Sequence, residues 1–78
     1  MNRSLLPAGF RVPPHKHNHS EMLVVLKGGC EFDDDFATLG PDDAIVIKAN
    51  TRYGFTCGET GMEFLTIRAG EATTELDE

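Results

Sequence analysis

GFRVPPHKHNHSEMLVVLKG, residues 9 to 28, holds all three histidines of the chain. His15, His17 and His19 fall within five residues, and Glu21 follows two further on. Imidazole and carboxylate are the usual side-chain ligands of divalent transition metals. Directly after Glu21 comes Met22-Leu23-Val24-Val25-Leu26, an apolar run ended by Lys27-Gly28-Gly29. A polar, metal-competent segment therefore feeds straight into a buried strand. In an extended chain His15 and His17 point the same way, because side chains alternate with a period of two. His19 and Glu21 share that parity, but six strand steps of about 3.3 Å span roughly 20 Å, too far for one ion. Glu21 can join His15 and His17 only if the chain turns at Asn18-His19-Ser20, whose small polar residues favour a turn. Two strands would then meet at a shared mouth. The result is a two-histidine, one-carboxylate site with positions left for water or substrate.

Length and charge narrow the classes. Seventy-eight residues make one domain near the lower limit for a core that stands without staples or partners. We assign residues 1–70 to it and 71–78 to an acidic, mobile tail. The formal charge of −6, from 13 acidic and 7 basic residues, argues against nucleic acid and anionic membrane surfaces, which call for basic patches. No apolar stretch approaches the roughly 20 residues of a membrane span, and Met1 to Leu6 is short for a signal peptide. The expectation is a soluble cytoplasmic protein.

Glycines and prolines punctuate the chain every eight to twelve residues and no helix-period pattern occurs, so the chain reads as all-β. Strands are expected at Leu5–Arg11, His15–His17, Glu21–Lys27, Cys30–Phe32, Ala37–Leu39, Ala44–Lys48, Tyr53–Thr56 and Met62–Arg68. Pro13-Pro14, which cannot donate to a ladder, separates the first two. Asp33-Asp34-Asp35 reads as a solvated hairpin tip, since it lacks the spacing and closing Glu of a calcium loop. Two strands are apolar on both faces: Leu23/Val25 against Met22/Val24/Leu26, and Ala44/Val46 against Ile45/Ile47. A lone barrel wets one face of each strand. A second subunit is the expected cover, giving a homodimer through Met22, Val24 and Leu26 or through the Ile45/Ile47 face. Cys30 and Cys57 show no CxxC spacing and read as two reduced thiols. A disulfide needs Cβ atoms about 4 Å apart, and a thiolate ligand at Cys57 is the minor option.

The opening stretch has the form G-x5-H-x-H-x3-E-x6-G, with Gly9, His15, His17, Glu21 and Gly28 at the fixed positions. It resembles the first motif of the cupin superfamily, small double-stranded β-helix (jelly-roll) barrels. The second cupin motif, G-x5-P-x-G-x2-H-x3-N, is matched poorly by Asp42 to Cys57. Asp42 stands for its first Gly, Lys48 for Pro, Asn50 for the next Gly, Tyr53 for the metal-binding His and Cys57 for Asn. The resemblance covers Ser4 to Arg68. It implies a minimal cupin barrel, trimmed before Gly9 so that an edge strand is open for pairing. It also implies a divalent metal (Fe, Mn, Ni or Zn) on His15, His17 and Glu21. His19 falls at a variable position and reads as an exposed turn residue or accessory donor. Tyr53, a phenol with an ordinary pKa near 10, is expected to face substrate or back the ligands, with Phe55 beside it at an aromatic mouth. Three readings stay open: a metal-dependent enzyme of dioxygenase or isomerase type, a small-molecule-binding or sensor module, and a metal-free assembly domain. Substrate and reaction are not named by these residues.

Overall fold

The computed structural model describes residues 1–68; the acidic segment 71–78 lies outside the described residues. Six strands form in chain order: β1 (Asn2–Leu6), β2 (Arg11–His15), β3 (Glu21–Phe32), β4 (Thr38–Leu39), β5 (Ala44–Ile47) and β6 (Tyr53–Arg68). A tight turn at Asp33–Asp35, with Asp34 and Asp35 both at φ +58°, joins β3 to β4, where the hairpin tip was expected. All pairings are antiparallel.

Two long strands organise the rest. β3 and β6 pair with each other from Glu21↔Arg68 to Phe32↔Phe55, and each has a partner on its other side. Along the first part of β3 the order is β1, β6, β3, β5, set by Ser4↔Phe64, Val25↔Phe64 and Leu23↔Ile45. Along its second part the order is β2, β6, β3, β4, set by Arg11↔Thr56, Glu31↔Thr56 and Cys30↔Leu39. Two four-strand layers thus share bent strands, an all-β jelly-roll arrangement. The bend falls at register shifts on either side of Lys27-Gly28. Gly28 has φ +71°, and a Cβ there would strike the carbonyl oxygen of Gly61, which itself has φ +77°. Only glycine takes both that left-handed conformation and that approach without strain. For this reason the strands expected at Glu21–Lys27 and Cys30–Phe32 are one strand, as are Tyr53–Thr56 and Met62–Arg68.

The core between the layers holds Leu23, Val25, Cys30, Phe32, Leu39, Ile47, Tyr53, Phe55, Cys57, Met62 and Phe64. Phe55 reaches Phe64 in the other layer edge to face, with centroids 6.5 Å apart. Each such large apolar side chain contributes about 1.5–3 kcal/mol on burial. Ile47 is buried, so the Ile45/Ile47 face belongs to the core and is not available to a partner. The outer face carries Met22, Val24 and Leu26, continued by Val46, which is 62% exposed.

The N-terminal strands also differ from expectation. β1 begins at Asn2 and stops at Leu6, because the turn at Pro7 to Phe10 closes with the Phe10 amide donating to the Pro7 carbonyl at 3.1 Å. β2 then runs through Pro13-Pro14 to His15, with a register shift against β6 between Val12 and His15. The prolines lie where the ladder asks for no donor. His17 is off the strand, in the turn that follows.

Candidate functional site

β2 ends on His15 opposite Tyr53, the first residue of β6. β3 opens on Glu21 opposite Arg68, the last residue of β6. The chain from Lys16 to Ser20 bridges these strand ends and is tied down from outside. The Asn50 amide donates to the His17 carbonyl at 2.7 Å, and the Ala49 amide to Ser20 Oγ at 3.0 Å. Both amides belong to the turn before β6. Asp42 and Asn50, which stand where the second motif has glycine, have φ of +72° and +65°. Asn and Asp tolerate that region best after glycine. The motif's letters are lost while its backbone is kept, and that turn still holds the histidine segment.

The side chains of both strand ends meet at one mouth. Rings run in a chain from Tyr53 to His15 (4.5 Å between centroids), His15 to His17 (4.9 Å) and His17 to His19 (5.1 Å). Glu21 is 5% exposed and the only buried charged residue among the described residues. The Tyr53 hydroxyl donates to its Oε1 at 2.6 Å, across the gap between the two layers. His17 Nε2 lies 3.9 Å from Glu21 Oε1, and His19 Nε2 lies 3.7 Å from Oε2. His15 donates its Nδ1 hydrogen to the Pro13 carbonyl at 2.8 Å. In the neutral ring this leaves the Nε2 lone pair free, the arrangement that orients imidazole ligands elsewhere. Burial first, and the bond to Glu21 second, push the Tyr53 phenol well above its ordinary pKa.

The expected set of His15, His17, Glu21, Tyr53, His19 and Phe55 is therefore gathered at one end of the barrel. His19 departs from expectation: it is partly buried, and its Nε2 is buried without a hydrogen-bond partner among the described residues. Cys57 lies elsewhere, opposite Cys30 on β3, so it is no ligand at this mouth. The cleft behind the histidines has a volume of about 260 Å³, with Leu6, Phe55, Phe64, Thr66 and Arg68 in its lining. Phe64 and Thr66 were not anticipated as lining; their shared parity on the last strand is the signal that could have found them. A larger cleft of about 410 Å³ shares Tyr53 but is built from Pro14, Asp33, Asp34, Phe36, Arg52 and Gly54. It contains no histidine, and its Asp33 carboxylate is already paired with Arg11 at 2.5 Å. The chemistry sits in the smaller cleft.

Whether these residues suit a metal ion is a question of donors and distances. The donors fit: imidazoles with free Nε2 atoms around a buried carboxylate. An ion about 2.1 Å from two ligands holds them roughly 3 to 4.2 Å apart, and 3.7 and 3.9 Å lie in that range. Among the described residues no three His, Cys, Asp or Glu side chains are already closed around one point. Completing such a set takes rotation of the rings about their own torsions.

Comparison with known proteins agrees with the fold. The chain is similar to a solved complex of Rhodobacter sphaeroides SigE with the anti-sigma ChrR, at 20% identity and a TM-score of 0.75, covering 86% of this chain and 36% of that one. It is similar to KdgF from a Halomonas species at 21% identity and a TM-score of 0.71, covering 85% and 64%. An RmlC-like cupin from Shewanella frigidimarina gives 20% identity and 0.72, covering 85% and 61%. The chain thus spans less than two thirds of each of these neighbours, and at such identities the likeness is one of fold. No curated protein matches it. No helix among the described residues is long and apolar enough to cross a membrane. The family model described as Cupin domain matches residues 2–68, and the chain belongs to that family.

Proposed function

We propose that this chain is a small metal-binding cupin that holds one divalent transition metal on His15, His17 and Glu21 and receives a small organic molecule in the cleft behind them. The observation that carries the reading is the meeting of the two strand ends. Two imidazoles and the one carboxylate buried among the described residues come together where Asn50 and Ala49 brace the intervening turn. Fe, Mn, Ni or Zn so held would supply Lewis-acid chemistry or, if redox-active, chemistry with dioxygen. The chain's own part is to orient and to exclude water. Pro13 fixes the tautomer of His15, Tyr53 keeps its proton and steadies Glu21, and Phe55 and Phe64 give the cleft an apolar floor. The names of the neighbours span an anti-sigma complex and KdgF, so fold does not select a reaction.

A second reading is favoured by the Tyr53–Glu21 bond, which already gives the buried carboxylate a partner. On that reading the mouth binds a small molecule, or serves assembly, without metal. In either case the apolar outer face of Met22, Val24, Leu26 and Val46 suits a second copy of the chain. Elemental analysis of protein purified without an affinity tag tests the choice. The first reading expects close to one equivalent of a transition metal, lost in His17→Ala. A metal-free protein that takes up none on incubation with any of the four ions leaves the second.

A further inference from the structure

We propose that His19, from the turn between β2 and β3, supplies a further donor to the ion, at the oxygen of Glu21 that Tyr53 leaves free. The inference rests on the metal-binding reading above. Its starting point is the division of the Glu21 carboxylate. Oε1 accepts the Tyr53 hydroxyl at 2.6 Å, while Oε2 faces His19 Nε2 at 3.7 Å, beyond hydrogen-bond length.

The state of that nitrogen follows from the other side of the ring. His19 donates its Nδ1 hydrogen to Asn18 Oδ1 at 3.3 Å, so in the neutral imidazole Nε2 carries a bare lone pair. The atom is buried and has no hydrogen-bond partner among the described residues, and 17% of the side chain is exposed. This nitrogen lone pair faces Glu21 Oε2, a second acceptor, at 3.7 Å. Two acceptors opposed in this way repel unless a cation lies between them.

The chain on either side of His19 is held in place. The Asn50 amide grips the carbonyl two residues before His19, and the Ala49 amide grips the side chain of the residue after it. The Tyr53 hydroxyl is already engaged at 2.6 Å on the other oxygen of Glu21, whereas His19 Nε2 has no partner among the described residues. This chain would then have replaced a donor on the β6 strand by one from the turn.

The test uses the metal-stripped full chain with cobalt(II) or zinc chloride alone. Affinity is read by competition with a chromophoric chelator and cobalt coordination by visible absorption. His19→Ala and His19→Asn, the second keeping a turn-forming side chain, are each expected to weaken cobalt binding at least tenfold and to change the visible band. If both His19 variants bind within twofold while His15→Ala loses more than tenfold, His19 is no ligand and the metal-binding reading stands. If wild type binds neither ion, that reading fails and this inference with it. Melting curves of each variant confirm that a folded protein is compared.

Discussion

The phenol of Tyr53 donates to Oε1 of Glu21 at 2.6 Å and so joins the first residue of β6 to the first residue of β3. This one bond ties the two layers together where the barrel opens. It also sets the roles of both groups: one oxygen of Glu21 is engaged, and Tyr53 is kept as a neutral donor.

The metal-free protein should show this in alkali. Tyr53 is the only tyrosine and there is no tryptophan, so near-ultraviolet phenolate absorbance reports this residue alone. Burial, then Glu21, raise its pKa in the folded state, so its contribution to stability is present below the ordinary value of 10.0 and is lost as pH rises beyond it. The folded protein should show almost no phenolate at pH 10.0, ionising together with alkaline unfolding. A half-ionised phenol at that pH with intact circular dichroism contradicts the buried bond.

Substitution separates structural from ligand roles at Tyr53. Tyr53→Phe leaves a buried carboxylate oxygen without its donor and should cost about 1–3 kcal/mol of stability, measured by urea unfolding. Metal affinity should hardly change. Tyr53→His supplies an imidazole, which needs no costly deprotonation, and should raise affinity at least tenfold, about 1.4 kcal/mol. If Tyr53→Phe abolishes binding while Tyr53→His gains nothing, the phenol is itself a ligand.

The two thiols stand directly opposite each other on β3 and β6. The Cys57 amide donates to the Phe10 carbonyl on the other side, so Cys30 and Cys57 form the non-hydrogen-bonded kind of cross-strand pair, with side chains close together. Burial, then the charge of Cys57, pushes the Cys30 thiol up to about 11, and burial also raises Cys57. Both are reduced. At neutral pH they should react slowly with a chromogenic disulfide reagent and both react quickly once urea unfolds the chain. Rapid labelling of the native protein contradicts this packing.

How much of this was legible in the sequence differs from one residue to the next. HxH and Glu21 are joined by local spacing, so the gathering at the mouth could be read directly. The extent of the strands could not. Gly28 and Gly61 look like strand ends, yet they are bulges inside long strands, because the backbones of β3 and β6 approach each other there. Parity gave Tyr53 and Phe55 a common face but not the bond to Glu21, which spans 32 positions. His19 reads as exposed because turns usually are. The amides of residues 49 and 50 hold the chain on either side of it, a contact that no local pattern encodes.

Assembly should depend on the outer face. Val46 pairs with Met22 and is 62% exposed in the single chain, as an uncovered apolar strand would be. Light scattering at micromolar concentration should give two chains of 8.6 kDa each. Val46→Asp should shift the protein to monomer with little change in fold. A wild type that is stable as one chain contradicts the interface.

The central claim is that the mouth of this barrel binds a metal through strand-end residues, and calorimetric titration tests it most directly. Zinc is added to metal-stripped wild type, His15→Ala and Glu21→Gln. The account predicts one equivalent bound by wild type and at least a tenfold loss of affinity in each variant. Wild type that binds no zinc, or variants that bind it as tightly as wild type, would contradict it.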